Sequence, residues 1–187
     1  MAIKIGVIAE DSSDVEVIKE FLAKYMQTHL FQVKPFVGKG CGKLRAKCSA
    51  WVDNLSKAGC QHIFIFHDLD RNKEVELRKQ IADRLKACTF PNIAVIIPTE
   101  ELEAWLLSDM AAIKSVFKVT GNLTIKAHCE QISSPKEYLG KLIRQTSQKP
   151  YLNTVHNQKI ASKTSIASLM TCESYKPFNE YVTTHLK

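Results

Sequence analysis

Four short runs of almost unbroken apolar residues alternate with longer amphipathic stretches along the first two-thirds of the chain. "IKIGVIAE" opens the series: Ile3, Ile5, Val7 and Ile8 form a run of the kind buried on both faces of a parallel sheet, ending at Glu10. "DSSDVEVIKEFLAKYM" follows, with helix-capping candidates at its start and Val15, Ile18, Phe21, Leu22 and Tyr25 at helical spacing. "FQVKPFVGK" reads as a second strand weakened by Pro35, and "GKLRAKCSAWVDNLSKAG" as a helix with Leu44, Cys48, Trp51, Val52 and Leu55 on one side and Gly59 as its stop.

"HIFIFHD" is the third strand, "KEVELRKQIADRLKAC" a helix, "NIAVIIP" the fourth strand and "TEELEAWLLSDMAAIKSVF" one further helix. Strands and helices in strict alternation predict a parallel α/β sheet with right-handed crossovers. Beyond residue 118 the strand signal fades. "SPKEYLGKLIRQTS", "KTSIASLMTC" and "YKPFNEYVTTHL" read as short helices joined by polar connections such as "SQKPYLNTVHNQ". This tail lacks the apolar residues for a core of its own, so residues 1–187 are expected to form a single domain, an α/β core over 1–118 with a helical extension over 119–187.

The chemistry concentrates where the strands end. In parallel sheets ligands bind outside the carboxyl ends of the strands. Glu10 stands at the end of the first strand, Asp68 and Asp70 at the end of the third in "FHDLDRN", and Glu100, Glu101 and Glu103 after the fourth. Residues i and i+2 of an extended segment point the same way, so Asp68 and Asp70 are expected to face one cation together. Clustered carboxylates repel unless a positive charge sits among them, and a hard divalent ion, Mg²⁺ or Mn²⁺, suits an all-oxygen donor set. Phosphoryl transfer is the chemistry this implies. The plainer alternative, that such acids only cap the following helices, suits Asp11, Ser12 or Asp14 better than the pair at 68 and 70.

Two other α/β patterns fit less well. A response-regulator receiver domain would use Glu10 and Asp11, Asp68 and Thr99, but the chain is too long for it, lacks a fifth strand ending in lysine and carries the second aspartate. A haloacid-dehalogenase-type phosphatase carries its D-x-D on the first strand, usually with Thr two residues on, where this chain has Asn72.

A Glu after the first strand ("VIAEDSSD") and D-x-D after the third ("DLDRN") resemble the signature of the Toprim domain, shared by topoisomerases, primases and nucleases of the overcoming-lysogenization-defect (OLD) type. Together with "GKGCGKL", "EELEAWLLSD", "SPKEYL" and a late Lys-Ile-Ala segment, they resemble nearly end to end the small stand-alone Toprim-related proteins of an uncharacterised bacterial family. The resemblance implies a Rossmann-like, Toprim-like fold and a metal-dependent nuclease. In it Asp68 and Asp70 hold the ion, Glu10 completes the coordination or serves as general acid or base, and Glu103 ligates a second ion, with Glu100 as the competing choice. Asp11 departs from the glycine common after the Toprim glutamate, which puts close backbone approach to phosphate at that turn in doubt. OLD-type systems further imply a partner ATPase and a role in phage defence.

A net charge of +7 favours a polyanionic partner, here DNA or RNA. "VGKGCGKLRAK" lacks the spacing of a nucleotide-binding P-loop and is read as a flexible basic loop that positions a nucleic-acid backbone through Lys39, Lys43, Arg45 and Lys47. Lys159 is the candidate charge-stabilising lysine. Alternation along the third strand turns His67 away from Asp68 and makes it a packed or supporting histidine, while Trp51 and Trp105 are read as core. The six cysteines show no metal-binding spacing and are read as reduced thiols. The N-terminus lacks the features of a signal peptide, and the apolar runs are too short to span a bilayer, so a soluble cytoplasmic protein is expected. A homodimer is expected if a long duplex must be held. Two other functions remain open: a regulatory subunit that binds metal and nucleic acid without turnover, and a phosphatase or phosphotransfer enzyme acting on small nucleotides.

Overall fold

The computed structural model describes residues 2–38, 40–147 and 149–186, the side chain of Cys41 excepted. Four parallel strands form one sheet in the order β2-β1-β3-β4: β1 (Ile3–Ala9), β2 (Phe31–Val37), β3 (His62–Phe66) and β4 (Ile93–Ile96). All pairings are parallel, with Ile5 opposite Val33 and His62, and Phe64 opposite Ala94. The chain is a Rossmann-like α/β protein with helices on both sheet faces and a helical C-terminal region. Pro35 is tolerated because β2 is an edge strand, where an absent N–H need not break a ladder.

Residue parity explains the layers. Ile5, Val7, Phe64 and Phe66 face the larger core, which holds α1 (Ser12–Ala23) and most of the C-terminal helices. Ile8, Ile63 and Ile65 face the opposite way onto α2 (Cys41–Lys57), through Leu44, Cys48, Val52 and Leu55. Gly6 lets α2 lie close, since a Cβ there would stand 2.8 Å from Leu55 Cδ1. The helix α3 (Glu74–Leu85) covers the end of that face with Leu77 and Ile81 against Ile97.

The stretch 99–117, expected as one helix, is two. The helix α4 (Glu103–Leu106) ends within a turn, and α5 (Met110–Phe117) starts afresh because Asp109 caps it, accepting from Ala112 N at 2.9 Å. The tail comprises α6 (Pro135–Thr146), α7 (Asn153–Lys163), α8 (Ile166–Leu169) and α9 (Lys176–His185). The segment expected as a polar connection therefore contains the first turns of α7. Leu139, Ile143, Ile160, Ala161, Tyr175, Phe178 and Val182 join the same core as Ile5 and Phe64, so the extension completes the α/β core. Among the described residues no helix is long and apolar enough to cross a membrane.

Candidate functional site

The carboxyl edge of the sheet gathers acids from three separate segments, those that follow β1, β3 and β4. Directly after β1 stands Glu10, whose carboxyl burial pushes up to about 7, helped by the charge of Asp70 and opposed by the Asp68 backbone N–H. Its Oε1 is buried and accepts no hydrogen bond among the described residues. Asp11 caps α1: its Oδ1 accepts from Ser13 N at 2.6 Å and Asp14 N at 3.2 Å, while Asp14 Oδ2 accepts from Asp11 N at 3.0 Å. This reciprocal capping box fixes Asp14 on the buried side of the first turn. Burial, then Asp11 and Glu103, hold the Asp14 carboxyl well above the ordinary carboxylate range.

Asp68 follows β3 with the parity of Phe66 and so turns towards α1. Burial raises its carboxyl well above the usual range, and Asp14, Glu10, Glu103 and Asp70 all push the same way. Glu103 lies in the first turn of α4, 4% exposed. Burial raises it too, while a hydrogen bond from Asn157 and the charge of Lys136 pull it back. Among the described residues no lysine or arginine forms an ion pair with any of these acids.

The expectation that Asp68 and Asp70 point the same way from an extended segment does not hold. The strand ends at Phe66, and the chain enters the left-handed region at Asp70 (φ 48°) and Arg71 (φ 62°), which leaves Asp70 exposed. The charge of Asp70 raises both Glu10 and Asp68. Backbone bonds continue the β3–β4 ladder through this turn: Leu69 N donates to Pro98 O at 3.1 Å and Asp70 N to Glu100 O at 3.1 Å. Glu100, also left-handed at φ 60°, spends its carbonyl there. Glu101 spends its carboxylate on the start of α6, accepting from Lys136 N at 2.9 Å. Of the three glutamates after β4, Glu103 is the one held in the acid cluster.

His67, 1% exposed, has the parity of Ile65 and faces the α2 side, where its Nδ1 stands 2.7 Å from Asp68 O and 3.7 Å from Glu10 Oε1. It packs against the glutamate, as a supporting histidine would. Arg45, in the second turn of α2, is the cation whose charge reaches Glu10, and its guanidinium also donates to Gln80 of α3 at 3.1 Å. Arg45 and Gln80 line a cleft between these helices together with Arg84. The loop expected around residues 37–47 is thus largely helix, because α2 begins at Cys41 with Gly40, at φ 112°, as its N-terminal cap. Lys43 and Lys47 are exposed on one flank of α2, Arg45 on the other. Lys39 lies outside the described residues.

Lys159 is not brought to the cluster. It sits two residues, about 200° of helical rotation, beyond Asn157, and is exposed. Asn157, fully buried, does reach the site: its Nδ2 donates to Glu103 Oε1 at 3.0 Å while its Oδ1 accepts from Tyr151 OH at 2.6 Å. Asp14, Tyr151, Asn157 and Lys136 are members or supports that sequence reasoning missed. Asn157 did carry a signal, since it occupies the i position of the buried stripe Asn157, Ile160, Ala161, Thr164.

The donor set is all carboxylate oxygen, with one buried oxygen unsatisfied and with mutual repulsion that a hard divalent cation would relieve. Glu10, Asp14, Asp68 and Glu103 fit such an ion by chemistry. Among the described residues no three side chains already stand in a ligating array.

Fold and edge together define a parallel-sheet α/β protein with a carboxylate-rich edge at the strands' carboxyl ends. The chain belongs to the family described as a domain of unknown function (DUF4276), which matches residues 9–183. No curated protein and no solved structure matches it.

Proposed function

We propose that this protein is a Mg²⁺- or Mn²⁺-dependent phosphodiesterase of Toprim-like type that cleaves DNA or RNA in the cytoplasm. One observation carries the reading: Glu10 and Asp14 at the β1–α1 junction, Asp68 after β3 and Glu103 after β4, from three separate segments, converge at the carboxyl edge of a parallel sheet, each raised by burial, and no lysine or arginine among the described residues pairs with them. A fold does not keep mutually repelling acids together for stability; a divalent ion gives the arrangement a purpose.

In this reading Asp68, Glu10 and Glu103 hold the ion, which when bound activates water and stabilises the leaving oxygen. Glu10, poised to exchange a proton near neutrality, serves as general acid or base where it does not ligate. Arg45 and Lys136, the cations nearest the acids in electrostatic effect, offset the charge of a bound phosphate. Tyr151 and Asn157 fix the orientation of Glu103. The likeness of the Glu and D-x-D signature to Toprim nucleases supports the same chemistry, and a partner ATPase in phage defence is its biological corollary.

The test is incubation of the protein, alongside Asp68→Asn, with supercoiled plasmid, single-stranded DNA and structured RNA in Mg²⁺, Mn²⁺ or chelator. Cleavage by wild type that needs the ion and is lost in the variant is expected. Because Asp68→Asn replaces a buried, mutually repelled carboxyl by a neutral amide, the variant should melt no lower than wild type in chelator, which distinguishes a dead site from a broken fold. Equal cleavage by both proteins would sink the reading; ion-dependent nucleic-acid binding without products would leave a regulatory subunit in its place, and phosphate release from small nucleotides a phosphatase.

A further inference from the structure

The described free cysteines are Cys48, Cys60, Cys88, Cys129 and Cys172, and two of them meet. Cys129 begins the short turn Cys129–Gln131, and Cys172 precedes the turn Glu173–Tyr175. Their sulfurs lie 3.2 Å apart across 43 residues of chain, both buried. A disulfide needs about 2.05 Å, so an approach of about 1 Å closes the gap.

The surroundings differentiate the two thiols. The two thiols share one hydrogen bond, and this contact together with nearby His128 brings Cys129 down to about 7, while the same contact and burial push Cys172 up. Burial raises Cys48 and Cys60 as well. Cys129 is the described thiol whose surroundings favour the thiolate, and it directly follows exposed His128.

The two turns also hold each other, and through that contact the acidic edge. Glu130 accepts from Glu173 N at 2.8 Å and Ser174 N at 3.0 Å, and its carboxylate accepts a hydrogen bond from the Ser174 hydroxyl as well. Ser174 Oγ in turn accepts from Trp105 Nε1 at 2.7 Å and Thr99 N at 3.2 Å. Trp105 lies in α4, two residues from Glu103, and Thr99 lies in the loop after β4.

We propose that Cys129 and Cys172 are a modification site: a dithiol that hydroperoxide oxidises to an intramolecular disulfide, locking the contact that supports α4 and the loop after β4. The Cys129 thiolate attacks one peroxide oxygen, the O–O bond breaks and the departing oxygen leaves as water after protonation, giving a sulfenic acid. The Cys172 sulfur then attacks that sulfur, its thiol proton and the sulfenic hydroxyl leave together as water, and the S–S bond forms. Peroxide gains two electrons and each sulfur gives up one. The site stands independently of any nuclease activity.

The experiment treats the fully reduced, full-length protein with equimolar hydrogen peroxide under native conditions, blocks remaining thiols and maps peptides without reduction. The expected product is a Cys129–Cys172 cross-link two hydrogens lighter than the free pair, reversed by dithiothreitol, with a melting temperature several degrees higher because a long loop is closed. In Cys172→Ser the first step should stop at a Cys129 sulfenic acid that dimedone labels. Peroxide consumption by other thiols with this pair left intact, or a cross-link between other cysteines, would overturn the assignment; so would a folded Cys172→Ser whose Cys129 takes no label. Should that variant not fold, the wild-type map alone decides.

Discussion

Asn157 on α7 donates its side-chain amide to Glu103 on α4 at 3.0 Å, and Tyr151 fixes which end of that amide faces the acid by donating to the other at 2.6 Å. A residue from the helical tail therefore orients an acid of the sheet edge. Asn157→Asp replaces the donor by a second carboxylate in a fully buried position. It is expected to destabilise the metal-free protein by about 3 kcal/mol at neutral pH, read by denaturant unfolding, and much less in acid where the new carboxyl is protonated. Equal losses at both pH values would mean that the amide serves packing alone.

The pH dependence of stability follows from Glu10. Its folded pKa, about 7, lies above the ordinary 4.5, so the folded state holds the proton more tightly than the unfolded one. That contribution is fully present below 4.5 and is lost as pH rises through 7. Melting temperature in chelator should fall across this window, and Glu10→Gln should reduce the fall without abolishing it, since Asp14, Asp68 and Glu103 are raised as well. A divalent ion that competes with the proton should raise the melting temperature more above pH 7 than below 4.5. An ion effect that grows towards acid would contradict the site.

The positions of the cations predict unequal roles. Arg45 acts on Glu10 and lines the cleft between α2 and α3; Lys159 points away from Glu103. Arg45→Ala should weaken nucleic-acid retention and reduce the salt slope of binding by about one. Lys159→Ala should leave both unchanged, so filter binding over a range of salt concentrations separates the two.

Much of the architecture was legible because its signals are local. The four apolar runs and the helical stripe Val15, Ile18, Phe21, Leu22 report burial directly, and the placement of acids after strands points to one edge. The break between α4 and α5 was not, because apolar residues continue through Leu106 and Leu107 and only Asp109 marks the new start. The D-x-D geometry was misjudged because two successive left-handed residues, Asp70 and Arg71, replace the extended backbone that the spacing assumes. Asp14 was read as one more capping residue, although capping by Asp11 is what aims Asp14 inward. Asn157 and Tyr151 needed the tail to be folded over the core before any link to Glu103 could be seen.

The ladder bonds from Leu69 to Pro98 and from Asp70 to Glu100 join the turns after β3 and β4. They act as a crossbar, so the turn carrying Asp68 and the turn leading to Glu103 are held together. An ion held as proposed between these acids would meet ligands whose turns cannot shift independently. Under the proposed function such a frame would favour a small ion with strict octahedral demands over a larger one that needs its ligands to adapt.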